Sequence, residues 1–312
     1  MTILEVKNLK KTFKKSEIIK GLTFDMQEGE ILGILGPNGA GKTTTLQMLL
    51  GILTPTSGTI KVFDKDLATH KSEILEKMNF SSTYVDMPWR LTVKENLEWS
   101  SWLYEIPDRR KRLNQIKELF LLEKQWNQPV SALSAGQKTR VNLARSMINF
   151  PSILLLDEPT ASLDPEVATY IREFFANQRK TYNKSIILTS HNMSEVESLC
   201  DRVLILKDGM IVGNDTPANL AKKIEYSHLR LRVTKNVAEL DKLISLRKLE
   251  SVQEDKQYTI TIKETLLPLF LYEITKKNVG YTEISIDKPN LEDYFMKIAK
   301  STVETKSRGD MS

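Results

Sequence analysis

The chain is poor in cysteine, in long apolar runs and in net charge, and each shortage closes off a class of protein. Of its 312 residues one is a cysteine, Cys200, so no internal disulfide can staple the fold. Its setting, EVESLCDRVLIL, offers no group that would clearly lower the thiol pKa. It therefore reads as a small core residue rather than a reactive thiol, in keeping with a reducing compartment. No apolar run approaches the roughly 20 residues of a membrane-spanning helix. The most apolar stretches, SILLLDEP and SIILTSH, are short and read as buried strands. The amino terminus MTILEVKNLKK carries a charge every few residues, unlike a secretory leader. A net charge of +5 permits contact with nucleic acid or anionic lipid without demanding it. The basic run RRKR at 109–112 reads as a solvated helix face. With 40% hydrophobic and 27% charged residues, the composition is that of an ordinary soluble globular protein.

What is present falls into three stretches. Residues 1–35 alternate apolar and polar positions between glycine turns, which predicts several strands, the last at 30–35. A helix follows at 43–52 and a short strand at TIKVFD. From about 70 to 150 the pattern changes to helix, with spacing near 3.6 in VKENLEWSSWLYEI and RRKRLNQIKELFLLEKQW. All four tryptophans lie here (Trp89, Trp99, Trp102, Trp126). Trp99 and Trp102, three apart on a helix, read as core, and Trp89, after Pro88, as the interface candidate. Beyond 150 strand, helix and strand alternate, and DRVLILKDGMIVGN reads as a hairpin. A second unit is expected from 226 to 300. It holds strands at LRLRV, QYTITIKE and YTEISID, a helix at NVAELDKLIS, one with Pro268 in its first turn, and a closing helix capped by Asn290. Residues 301–312 are expected to be a disordered tail.

Three strand ends carry chemistry. GPNGAGKTT, residues 36–44, follows a strand and opens a helix, the setting that a phosphate-cradling loop requires. Gly36, Gly39 and Gly41 let the backbone curl so that N–H groups of the loop, which also holds Pro37, Asn38, Ala40 and Thr44, face the β- and γ-phosphates. Lys42 adds a compact positive charge, and the Thr43 hydroxyl suits Mg²⁺. SILLLDEPT ends an apolar strand in Asp157, placed to hold Mg²⁺ through water, and Glu158, placed as general base. SIILTSH ends in His191, on the ligand side of a parallel sheet, where it could contact the γ-phosphate or steady Glu158. A second anion-favouring helix start lies at Leu133, Ser134, Ala135, Gly136 and Gln137, although the chain has only one nucleotide loop.

These segments, in this order, resemble the ATP-binding subunit of an ABC transporter: GPNGAGKTT, LSAGQ, ILLLDEPT, ASLD and TSH. The resemblance covers residues 1–225. It implies an α/β P-loop NTPase core with an antiparallel β subdomain and a helical subdomain at 70–150, beside the small C-terminal α+β domain. It implies ATP and Mg²⁺, and a head-to-tail dimer with a second copy of the chain. LSAGQ would then serve the ATP held by the partner's loop, and Asp164 would lie near the two-fold axis. It also implies a separate integral membrane permease, which the chain would drive from the cytoplasmic face. Phe13 matches the family's adenine-stacking aromatic, and a strand-core role remains the alternative. NLEDYFMKIAK is similar to the end of subunits serving exporters of the drug and polysaccharide (ABC-2) type.

One family residue is missing. The glutamine that helps hold Mg²⁺ and links hydrolysis to the permease has Thr83 in its place, and no glutamine lies between Gln47 and Gln115. A hydroxyl of Ser81, Ser82 or Thr83 is the expected substitute, acting through water. Two alternatives stand beside a transporter ATPase: a soluble ABC ATPase acting on nucleic acid or ribosomes, and a regulatory subunit of weak activity. The single nucleotide loop and the lack of sustained heptads argue against the first, so nucleic acid is not an expected partner.

Overall fold

The computed structural model describes residues 1–82 and 87–298. Thr83 and the tail at 301–312 lie outside the described residues. The chain divides into two compact units, Met1–Thr216 and Pro217–Ser312, so the division falls nearer the amino terminus than the expected 225/226.

The first unit is built on two sheets. Strands β1 (Thr2–Phe13), β2 (Ser16–Gln27), β4 (Ser57–Val62) and β5 (Lys65–Asp66) form an antiparallel sheet in the order β2-β1-β4-β5. The second sheet has six strands: β3 (Ile31–Leu35), β6 (Met78–Ser82), β7 (Ile153–Asp157), β8 (Ser185–Thr189), β9 (Arg202–Lys207) and β10 (Met210–Asp215). Their order is β10-β9-β3-β8-β7-β6, with parallel pairing from β9 to β6 and an antiparallel edge at β10. The strands ILGIL, ILLLD and SIILT are buried at every position, as expected of parallel strands covered on both faces. Their side chains join those of β1, β2 and α1 (Lys42–Leu49) in one core that includes Leu9, Leu22, Leu32, Leu46, Leu155 and Ile187.

The expected change to helix from about 70 to 150 is corrected at β6. MNFSS alternates apolar and polar over only its first four residues and has no β-branched residue, so it marks itself only weakly as a strand. It becomes one because the open edge of β7 offers unpaired backbone groups that a neighbouring segment must satisfy. Around it lie helices α2 (Lys71–Glu76), α3 (Val93–Ser101), α4 (Arg109–Leu119) and α5 (Ala135–Ser146). Thr92 caps α3 in a reciprocal box with Glu95, and the buried Asn96 amide donates to the carbonyls of Pro88, Leu91 and Thr92. The core role expected of Trp99 and Trp102 is also corrected: they are 57% and 68% exposed. Helix α3 buries Val93, Asn96, Leu97, Ser100 and Ser101, and that stripe turns both indoles outward. Trp102 instead stacks under Arg109, 4.5 Å from its ring centroid. Trp89 is exposed as well. Cys200 is buried, and burial pushes its thiol pKa up.

The second unit begins with α8 (Pro217–Ala221). Strands β11 (Tyr226–Lys235), β12 (Glu250–Glu254), β13 (Gln257–Lys263) and β14 (Gly280–Asp287) form an antiparallel sheet ordered β12-β13-β11-β14. Helices α9 (Val237–Leu246) and α10 (Leu267–Lys276) supply Leu240, Ile244, Phe270 and Ile274 to a core shared with Leu229, Leu231 and Ile260. Asn290 caps the helical stretch 291–298, accepting from the Asp293 N–H at 3.0 Å.

Phe120, at the end of α4, is fully buried. It meets Phe174 of α6 (Pro165–Tyr182) edge to face at 5.0 Å. Phe120→Ala should lower the unfolding free energy by about 3–5 kcal/mol, as read by urea denaturation.

Candidate functional site

Strand order brings the expected site residues together. Strands β3, β8, β7 and β6 lie side by side, so the phosphate loop, His191, the Asp157–Glu158 pair and Ser82 all follow neighbouring carboxyl ends. That is the ligand side of an open parallel sheet.

The loop after β3 favours glycine at three points. A Cβ at Gly36 would lie 2.5 Å from the Leu206 carbonyl oxygen of β9. Gly41 has φ +101 as the cap of α1, and a Cβ there would lie 2.3 Å from Ile19. At Gly39 a Cβ would meet nothing within 4 Å, so the loop is open there, and it is the φ of +82 that favours glycine. Asn38 and Thr43 are exposed, Pro37, Lys42 and Thr44 half-buried, and Ala40 buried. The Lys42 ammonium donates to the carbonyls of Gly36 at 2.6 Å and Pro37 at 3.3 Å. Burial lowers its pKa, while Glu158 and Asp157 act to raise it. An open loop, an ammonium beside it and N–H groups at a helix start fit a polyphosphate.

Asp157 is 6% exposed. In the parallel register Ser82 pairs with Asp157 and Asp157 with Thr189, so the three form one row across the sheet. Thr189 Oγ1 donates to Asp157 Oδ1 at 2.6 Å, and Ser82 Oγ stands 3.5 Å from Oδ2. Glu158 has φ +55, in the left-handed region, where a residue without glycine's freedom is strained. Its N–H donates to the Thr189 carbonyl at 3.1 Å, which holds the turn. Its carboxylate is 3.0 Å from His191 Nε2. Burial raises the Glu158 pKa, His191 and Lys42 pull it back down, and Asp157 adds to the rise. A carboxylate so placed can take a proton from water, with the imidazole to orient it. An exposed hydroxyl on Thr43 and a buried carboxylate on Asp157 are hard oxygen donors. They fit Mg²⁺, which uses one or two protein oxygens together with water and phosphate.

The second helix start lies at α5. Ser134 caps it in a reciprocal box with Gln137: the Gln137 N–H donates to Ser134 Oγ at 3.3 Å, and the Ser134 N–H to Gln137 Oε1 at 3.0 Å. Leu133 is buried, Ser134 and Ala135 are exposed. A Cβ on Gly136 would lie 3.0 Å from the Ser162 carbonyl oxygen, so α5 rests against the loop that follows Glu158. Asp164, at the start of α6, is exposed and makes no side-chain cap. Phe13 is 45% exposed, with the Lys11 ammonium 5.0 Å from its ring. Its strand-core alternative is thereby set aside.

Two further residues escaped the sequence reading. Thr189, inside SIILTSH, is the donor to Asp157, and only the sheet register reveals it. Glu195 is 1% exposed and accepts from Thr160 at 2.8 Å. Its spacing from Asn192, N-x-x-E, signals an exposed capping box, not a buried carboxylate.

A parallel sheet with a glycine-rich phosphate loop, a buried strand-end aspartate and an adjacent glutamate–histidine pair define the site of a nucleotide-hydrolysing P-loop protein. Residues 19–161 match the family described as ABC transporter. The bacitracin transport ATP-binding protein BcrA of Bacillus licheniformis is 30% identical, over 95% of this chain and 97% of its own. The linearmycin resistance ATP-binding protein LnrL of Bacillus subtilis is 28% identical, over 96% and 99%. A Nod factor export ATP-binding protein I of Ralstonia nicotianae is 36% identical, over 70% and 68%. Among solved structures, an ATP-binding subunit of an ABC transporter superposes with TM-score 0.66 at 26% identity, over 71% of this chain and 92% of its own. A dimeric ATP-binding cassette in a post-hydrolysis state with ADP and Pi gives 0.64 at 26% identity, over 69% and 98%. The chain belongs to the ABC transporter family, as one of its ATP-binding, ATP-hydrolysing subunits.

Thr189→Val keeps the shape of the side chain but leaves a buried Asp157 oxygen without its donor. The unfolding free energy should fall by about 1–3 kcal/mol, whereas Thr189→Ser, which keeps the hydroxyl, should recover most of the loss in the same denaturation assay.

Proposed function

We propose that the chain is the ATPase of an export-type ABC transporter, working as a pair of copies beneath a separate membrane permease. The carrying observation is the row of strand ends that sets Lys42, Asp157, Glu158 and His191 around one opening. Likeness to BcrA and LnrL along almost the whole chain, second unit included, supports the export reading.

In this reading the loop N–H groups and Lys42 grip the phosphates of ATP, and Phe13 offers its exposed face to the adenine. Thr43 and Asp157 hold Mg²⁺, which when bound offsets phosphate charge during transfer. Glu158 takes a proton from the attacking water, and His191 keeps its carboxylate aimed. Ser134 and Gly136 serve ATP on the second copy, with Ser134 exchanging its link to the Gln137 N–H for a phosphate oxygen. Asp164 couples the two sites. The isologous pairing uses the same patch on both copies, and closing and reopening of the pair switches the permease. Trp89 and the neighbouring face of α3 receive the permease, which holds the chain at the cytoplasmic face of the membrane. The contact between Ser82 and Asp157 supports a hydroxyl standing in for the missing glutamine. Thr83→Gln should then alter ATPase rate or coupling; if it changes neither, the position has no such role.

Glu158→Gln should cut turnover on the order of a hundredfold or more while ATP still binds, leaving the pair closed. Tagged Glu158→Gln protein with ATP, applied to detergent-solubilised native membranes, should recover a polytopic membrane protein. Recovery of ribosomes or nucleic acid instead would assign the same chemistry to a soluble machine.

A further inference from the structure

One buried carboxylate joins the loop that carries the proposed base to the loop that carries the histidine. Glu195 lies on α7 (Met193–Leu199), with its carboxylate turned into the protein. Thr160 Oγ1, two residues after Glu158, donates to Glu195 Oε1 at 2.8 Å. Ser190 Oγ, next to His191, donates to Glu195 Oε2 at 2.5 Å. The Ser190 hydroxyl in turn accepts from the Asn192 N–H at 3.1 Å, so the backbone on both sides of His191 is fixed to the same point.

The local sequence offers Glu195 another role that it does not take. In a capping box it would reach back to the Asn192 N–H, but that N–H is bonded to Ser190. A buried acid costs free energy that an apolar side chain of similar size would not. What the acid adds is direction, because two hydroxyls from different loops must converge on its two oxygens. Beyond the Thr189–Asp157 bond at the strand ends, two links join these loops: the Glu158 N–H to the Thr189 carbonyl and Oγ1, and the contact of Glu158 with His191. The first fixes only the start of the Glu158 turn. The second joins a half-buried carboxylate to a ring that is 57% exposed, and an exposed polar contact alone positions little.

We propose that Glu195 is a positioning residue for ATP hydrolysis: its carboxylate ties Thr160 to Ser190 so that Glu158 and His191 are presented as one rigid unit. The inference rests on the proposed roles of Glu158 and His191. It places Glu195 behind those residues, without contact to ATP.

The test is steady-state ATPase kinetics of the full chain with Thr160→Val, Ser190→Ala, their double variant, Glu195→Ala and Glu195→Gln. Circular dichroism and thermal melting check folding, and Glu158→Gln is run in parallel. Each hydroxyl deletion should lower kcat on the order of tenfold, the size expected when a reacting group loses alignment. KM for ATP should stay within about twofold, because the phosphate loop is untouched. The double variant should fall far short of the product of the two single losses, since both act through Glu195. Glu195→Gln should recover most of the rate lost in Glu195→Ala, because an amide can still accept from one hydroxyl and donate to the other. Unchanged kcat in folded Thr160→Val and Ser190→Ala would overturn the tie. So would strictly multiplicative losses, or a rise in KM matching the fall in kcat. If Glu158→Gln itself turns over normally, it is the assignment of the base that fails.

Discussion

The parallel pairing of β6, β7 and β8 is the constraint on which the rest of the site depends. It sets Ser82, Asp157 and Thr189 in one row, and the donor that a buried aspartate requires comes from that row. With β3 on the other side of β8, the same pairing delivers the phosphate loop, the acid pair and the histidine to one edge. A slip of one residue in this register would turn Asp157 to the opposite face and separate it from Thr189. Packing on both faces of β7 and β8 resists such a slip.

Burial and an unusual backbone conformation meet at Glu158. Glu158 adopts a left-handed backbone conformation, and its carboxyl is held at a raised pKa by burial. Lys42 is shifted the opposite way by the same cause. Two groups of opposite charge, each desolvated and each partly restored by the other, are costly for folding and useful for a reaction. The turn that strains Glu158 is held by backbone and hydroxyl bonds to the Thr189–Ser190 segment and to Glu195, so neighbouring loops meet the cost of the geometry.

The surface carries a different message. Helix α3 buries a stripe of small and aliphatic residues and leaves Trp99 and Trp102 outside. On nine residues, a spacing of three is compatible with either face, and only the position of the packed neighbours decides between them. The start of α5 is similar. Its cap is complete within the chain, through Ser134 and Gln137, yet its small residues and exposed hydroxyl leave space for a ligand from outside.

Much of this protein was legible in its sequence because the informative segments are local. A glycine-rich turn between a strand and a helix, an apolar run ending in two acids and an apolar run ending in histidine each carry their own backbone requirement. The patterning within the second unit likewise reports strands β11, β13 and β14 and most of its helices, but not β12, whose ESVQE is exposed at every position. Tertiary structure decided what depends on neighbours. MNFSS is a strand because β7 had an open edge, not because of its own side chains. Thr189 serves Asp157 because two strands lie in register, and Glu195 is buried although its spacing from Asn192 describes an exposed cap. A residue's conformation is biased by its few neighbours along the chain, but the partner of a buried polar group is chosen by whichever segment folding brings beside it.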